Sequence, residues 1–259
     1  MRIGSIIDLI ELYAPPSLAA DWDNSGLQIG SRKENAQRVM VCLDVTGPVI
    51  EEALKYKASL IVSHHPLFFR PVKNILDDPK GEMIRAIVSE GLNVYSCHTP
   101  FDASRYGINA YNAFRLGIAA EGYLEPSPDP AYGYGTYGDL KEEISFTELA
   151  KKVKAVFGAQ AIKVSSFGEG RMVSRAAFMG GAGDDYINKA KMMGADVYIT
   201  ADVKNSGFMK AAELEMPLMV LSHFETEKCF IKIMKDLITK ECPSLMVLES
   251  AAGDFEKII

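Results

Sequence analysis

Short, unbroken apolar runs, each followed by a segment of helix length, constrain this chain more than any other feature. In the first half they are VMVCLD (39–44), SLIVS (59–63) and LNVYSC (92–97). In the second they are IKVSSF (162–167), SRAAFMG (174–180), ADVYIT (195–200) and PLMVLS (217–222). A strand with one face in water alternates apolar and polar residues, whereas a continuous apolar run suits a strand covered on both faces. The segments between the runs read as helices: PVIEEALKYKA (47–57), KGEMIRAIVSE (80–90) stopped by Gly91, and others after Gly183, Lys204 and Thr226. The fold class expected is therefore α/β, with two halves of similar grammar and mainly parallel buried sheets.

The chain opens on Ser5, Ile6, Ile7, Leu9, Ile10 and Tyr13 at helical spacing, and Pro15-Pro16 stops that helix. A loop of turn formers follows, Asp21-Trp22-Asp23-Asn24-Ser25-Gly26, around the single Trp of the chain. The stretch PSPDPAYGYGTYGD (126–139) has no period and is the best boundary, dividing the chain into a first half, 1–128, and a second, 129–259. A helix is expected from Ser145, with Ser145 and Glu148 in capping-box register.

With 259 residues and 48% hydrophobic composition the chain can bury a sizeable core. Its 28 Lys+Arg against 34 Asp+Glu, net −6, argue against a nucleic-acid partner held by bulk charge. No run of about 18 apolar residues occurs, so no membrane association is expected. The start lacks a basic, apolar, small-residue cleavage pattern. Cys42, Cys97, Cys229 and Cys242 form no CxxC pair and sit mostly in apolar runs, as reduced packed thiols do. A cytoplasmic protein is expected.

The chain has four His residues, and each follows an apolar strand: His64-His65 after LIVS, His98 after VYSC, His223 after VLS. In open α/β sheets ligands gather outside the carboxyl ends of strands. Two adjacent His on a continuing strand point to opposite faces, so both serve one centre only if the chain turns there, as Pro66 allows; otherwise they bind two ions side by side. His98 and Asp102, and His223 and Glu227, are pairs at i,i+4 that share a helix face and can close on one ion. Imidazoles and carboxylates without thiolate suit zinc, iron or manganese, and the number of donors favours two ions over one. Gly180-Gly181-Ala182-Gly183-Asp184 reads either as an anion-receiving turn or as a tightly packed one. Asp202 reads as a cap for the next helix ahead of a substrate contact.

The stretches DWDNSGLQIG (21–30), VCLDVT (41–46), SHHPLFF (63–69), HTPFDA (98–103), GADVYITADVK (194–204) and HFETE (223–227) together resemble the NIF-three-like family, whose members are often labelled GTP cyclohydrolase 1 type 2 homologues. The resemblance implies two interlocked α/β halves, with the C-terminal part, about 217–259, returning to complete a dinuclear metal site. The matching ligand positions are His64, His65, Asp102, His223 and Glu227, with His98 beside the metals as a proton-handling group. It also implies homo-oligomers, frequently ring-like hexamers. Pro100, Ala201 and Asn205-Ser206 depart from the family's pattern, but none is a ligand position. The function expected is a metal-dependent, hydrolase-like enzyme acting on a small phosphorylated or nucleotide-like compound; the alternative is a non-catalytic, metal-stabilised regulatory or assembly adaptor.

Overall fold

The structure is a computed structural model that describes residues 1–256. The chain forms two compact units, Met1–Phe101 with Cys229–Gly253, and Asp102–Lys228 with the described residues from Asp254. Both are mixed α/β.

The first unit holds a five-stranded sheet in the order Gly26–Ile29, Asn93–Ser96, Leu60–Ser63, Arg38–Cys42, Met246–Glu249. The first pairing is antiparallel and the other three are parallel. Every residue of Leu60–Ser63 and Asn93–Ser96 is buried, as their unbroken apolar text requires. Met40, Ile61 and Val94 pack with Val49, Ile50 and Ala53 of helix Gly47–Lys55 and Ile87 of helix Pro79–Ser89. Asp78 starts the latter helix by accepting from the Gly81 amide at 2.7 Å. Helix Ile3–Tyr13 packs against helix Cys229–Glu241, which also lies along Arg38–Cys42 and Met246–Glu249.

The second unit holds a six-stranded sheet in the order Ile118–Gly122, Thr136–Ser145, Met172–Ala182, Val197–Ala201, Leu218–Leu221, Lys163–Val164. Met172–Ala182, Val197–Ala201 and Leu218–Leu221 run parallel, and the remaining strands join them antiparallel. Side chains alternate across the sheet. Phe178, Val197, Ile199 and Met219 pack with Leu149, Val153 and Phe157 of helix Phe146–Phe157. Their neighbours Ala177, Tyr198, Leu218 and Val220 pack with Ile187, Ala190 and Ala211 on the other side. Among the described residues no helix is long and apolar enough to cross a membrane.

The turn-rich text at 126–139 differs from its reading as a boundary. It lies inside the second unit, where Glu125–Pro126 pairs with Gly133–Tyr134 and the chain reverses into Thr136–Ser145. That ten-residue strand is largely exposed beyond Gly138, so it shows no apolar run. The chain changes unit at Phe101/Asp102 and at Lys228/Cys229 instead. The run IKVSSF forms only the edge strand Lys163–Val164, because the Ser165 hydroxyl accepts from the Leu218 amide at 3.0 Å and the chain then turns through Ser166–Gly168.

Glu52 anchors the returning C-terminal segment: its carboxylate accepts from the Ser250 hydroxyl at 2.5 Å and from the Ala251 amide at 3.1 Å. Glu52→Ala is expected to lower stability by about 1–2 kcal/mol, the range for partly exposed bonds to a charged acceptor, read as a lower urea midpoint. An unchanged midpoint would remove this anchor from the account of the fold.

Candidate metal centre

Parallel pairing of Leu60–Ser63 with Asn93–Ser96 puts the carboxyl ends of both strands side by side, so His64, His65 and His98 emerge as neighbours. Two hydroxyls shape the turn there. Ser63 Oγ lies 2.8 Å from Ser96 Oγ and donates to the His65 carbonyl at 2.8 Å. The His65 amide donates to the Leu43 carbonyl at 3.0 Å. These bonds bend the backbone so that adjacent His residues converge, their ring centroids 4.9 Å apart. The His98 ring stands 5.2 Å from that of His64 and 5.4 Å from that of His65. Each of the three offers a ring nitrogen, and these nitrogens all lie within 4.8 Å of one another. Phe230 of the returning helix packs on the His64 ring at 4.9 Å.

Every one of these rings is held at Nδ1. His64 Nδ1 meets the Cys97 carbonyl at 3.0 Å; a carbonyl can only accept, so Nδ1 carries a proton. His65 Nδ1 meets Asp44 at 2.8 Å, and His98 Nδ1 meets Asp23 at 2.8 Å. The Asp23 carboxylate is fully shielded from solvent. Burial pushes its pKa up, but hydrogen bonds from His98, Thr99 and Ser25, with the charge of His98, outweigh that and hold it well below the usual carboxylate range.

In the second unit Ser222 opens the short helix His223–Glu227 with a full capping box: its hydroxyl accepts from the Glu225 amide, and the Glu225 carboxylate accepts from the Ser222 amide. Glu225 is thereby turned back on the cap. One helical turn brings His223 Nε2 to 2.9 Å from Glu227 Oε2, while Nδ1 meets Asp202 at 2.7 Å. Burial lowers the His223 pKa, but Glu227, by hydrogen bond and charge, and Asp202 together raise it to about 9. A carboxylate on either side holds a positive charge on this ring.

The glycine turn explains where Glu227 sits. Gly181 has φ +69°, and a Cβ there would collide with Glu227 Oε1. The Gly181 amide donates to Thr226 Oγ1 at 3.0 Å. Asn109 bridges the neighbouring Gly180 amide, at 2.9 Å, to the Asp102 carbonyl, at 3.0 Å. Carboxylate oxygens of Asp102 and Glu227 approach within 4.8 Å. Of the two readings of this turn, tight packing is the one observed.

The structure thus gathers His64, His65 and His98 in one unit, and Asp102, His223 and Glu227 in the other. Asp202 is not a helix cap; it occupies a left-handed conformation, φ 53°, at the end of Val197–Ala201 and orients His223. Asp23 and Asp44 went unassigned in the sequence. Their signal was present, an acid in the turn-rich DWDNSG loop and an acid ending VMVCLD, but nothing local says that either faces a histidine. Cys97 is buried and serves through its carbonyl, as a packed neighbour.

The donor set fits divalent metal. Histidines that ligate metals are held at the second ring nitrogen by a carboxylate or carbonyl, and all four here are. Within each unit the clustered side chains are candidate ligands for a borderline or moderately hard cation.

Similar proteins identify the family of the chain. The chain is 31% identical over 229 residues to a GTP cyclohydrolase 1 type 2 homolog of Clostridium perfringens, covering 88% of this chain and 87% of that one. It is 29% identical over 259 residues to the protein of the same name in Campylobacter jejuni, covering 99% of each. Among solved structures, a Bacillus cereus protein related to NIF3 superposes with TM-score 0.93 at 23% identity, covering 100% of this chain and 99% of that one. Reduced HcgD from Methanocaldococcus jannaschii superposes with TM-score 0.85 at 25% identity, covering 97% and 98%. The model of the Duf34/NIF3 (NGG1p interacting factor 3) family matches residues 1–256, and the chain belongs to that family.

Proposed function

We propose that the two donor sets serve one dinuclear centre, with His64, His65, Asp102, His223 and Glu227 ligating two divalent ions, zinc, iron or manganese. On this reading the protein is a metal-dependent, hydrolase-like enzyme acting on a small phosphorylated or nucleotide-like compound. The grip on Nδ1 of every histidine carries the proposal, because it makes Nε2 the nitrogen for coordination or proton transfer, and at His223 a bound ion would displace the proton that Nε2 shares with Glu227. Such ions, when bound, supply Lewis-acid polarisation and acidify water. The chain does the rest. Asp23 fixes the His98 ring, supplies a lasting negative charge beside it and keeps a proton on Nδ1, so that Nε2 exchanges the proton of the reaction. The buried carboxylate of Glu227 completes the acidic side.

One observation favours the second reading, a metal-stabilised adaptor: the ligands are divided between two compact units, so ion binding would contribute to folding. A ring-like homohexamer in the cytoplasm completes the proposal; the four reduced, buried thiols suit that compartment.

Elemental analysis of metal-loaded protein is expected to give about two ions per chain. Hydrolysis of a panel of nucleotides and phosphate esters should be lost in Glu227→Ala. Turnover equal in that variant and the wild type would end the enzymatic reading, and a large chelator-induced drop in melting temperature without any turnover would favour the adaptor.

Asp23→Asn removes the charge but keeps the shape. It should slow turnover about 10–100-fold, the range for loss of a partner that orients a histidine, while metal content is retained. Retained turnover would deny His98 its proton-handling role.

Without metal, His223 titrates on folding. A ring raised from 6.5 to about 9 adds stability that is complete below pH 6.5 and lost as pH rises through about 9. In chelator-treated protein the stability difference between wild type and His223→Gln should therefore shrink between those limits, by urea denaturation; a difference constant with pH contradicts it.

A further inference from the structure

Beside His98 two large aromatic side chains stand open to solvent, Trp22 at 61% and Phe69 at 52% exposure, while His98 itself is only 9% exposed. The Trp22 and Phe69 ring centroids are 5.7 Å apart with planes inclined at 31°. Each lies close to His98, at 5.7 and 5.8 Å, with interplanar angles of 70° and 62°. His98 therefore stands steeply to both rings and stacks on neither. A ring inserted between two others needs a gap of about 7 Å, twice an ordinary van der Waals spacing. This pair is too close for that; its two rings, tilted against each other, stand at nearly equal distances from His98 and leave their outer faces to solvent.

The pair is held by its loops. Asp23, next to Trp22, accepts from the Thr99 hydroxyl and amide as well as from His98. Asn24 Nδ2 donates to the Phe68 carbonyl at 2.6 Å, and the Phe68 amide donates to Gln28 Oε1 at 3.1 Å. The segment after Trp22 is thus tied through Asn24 and Gln28 to both main-chain groups of Phe68, the neighbour of Phe69. Neither the metal ligation nor the proton handling above uses these two rings, although much of each is open to solvent. Arg70, exposed and next in sequence to Phe69, adds positive charge suited to a phosphate.

We propose that Trp22 and Phe69 form a stacking platform for a planar heteroaromatic ring, and that this ring is the recognition handle of the small phosphorylated compound presented to His98. The assignment rests on the substrate reading above and deepens it. Stacking tolerates many rings, because each has a π-face, so the platform selects for flat heteroaromatics as a class.

Trp22 is the only Trp in the chain, so fluorescence excited selectively at the indole, beyond the absorption of the tyrosines, reports this platform. The full chain, chelator-treated and metal-loaded, is titrated with adenosine 5′-monophosphate and nicotinamide mononucleotide, with ribose 5-phosphate as the ringless control. Saturable quenching by at least one ring-bearing probe and none by the control is expected. Phe69→Ala should weaken that binding by about tenfold, within the range for loss of one stacking partner, and Phe69→Tyr should restore it. Silence with both ring-bearing probes, equal quenching by ribose 5-phosphate, or unchanged affinity in Phe69→Ala overturns the proposal. So does a spectral change that follows protein concentration alone, which would mark a contact between copies of the chain. Quenching in chelator-treated protein reads the platform without ions, and the metal content of Phe69→Ala reads the centre without the platform, so the two failures are distinguishable.

Discussion

A histidine is a usable ligand or proton carrier only when its ring is fixed and its tautomer decided, and here both are settled by acceptors that the fold places at Nδ1. Three are carboxylates and one is a main-chain carbonyl. The acceptors in turn come from strand ends or from the loops beside them. Asp44 follows Arg38–Cys42, the Cys97 carbonyl follows Asn93–Ser96, and Asp202 follows Val197–Ala201. The register between parallel strands therefore decides which acceptor meets which ring. A slip of one residue would turn every donor to the other face of the sheet.

Small residues and hydroxyls do the fine positioning. Ser63 and Ser96 bend the chain so that two adjacent His residues, which an extended strand would send apart, lie together. Gly181 leaves room for a carboxylate oxygen where any side chain would intrude, and its φ of +69° suits glycine. Thr226, Asn109 and Asn112 are buried polar groups whose bonds tie the short helix His223–Glu227 to the glycine turn and to helix Ile108–Leu116. Polar networks of this kind are costly unless satisfied, and satisfied they specify one arrangement.

Much of this was legible in the text of the chain. The apolar runs gave Leu60–Ser63, Asn93–Ser96, Val197–Ala201 and Leu218–Leu221 because those strands are buried along their length, where composition and position must agree. Thr136–Ser145 and Met246–Glu249 escaped notice because they expose much of their surface and carry mixed residues. The clustering of His64, His65 and His98 followed from their common place after strands. Asp23 and Asp202 could not be paired with rings, since 75 and 21 residues separate each acid from its histidine and only the three-dimensional path closes those distances.

The last strand of the first sheet, Met246–Glu249, joins Arg38–Cys42 from the far end of the chain. During synthesis one edge of Arg38–Cys42 stays unpaired until Met246–Glu249 has emerged, after all of residues 102–228. The order of translation thus leaves that strand edge open to chaperones and to misassembly while the intervening residues are made.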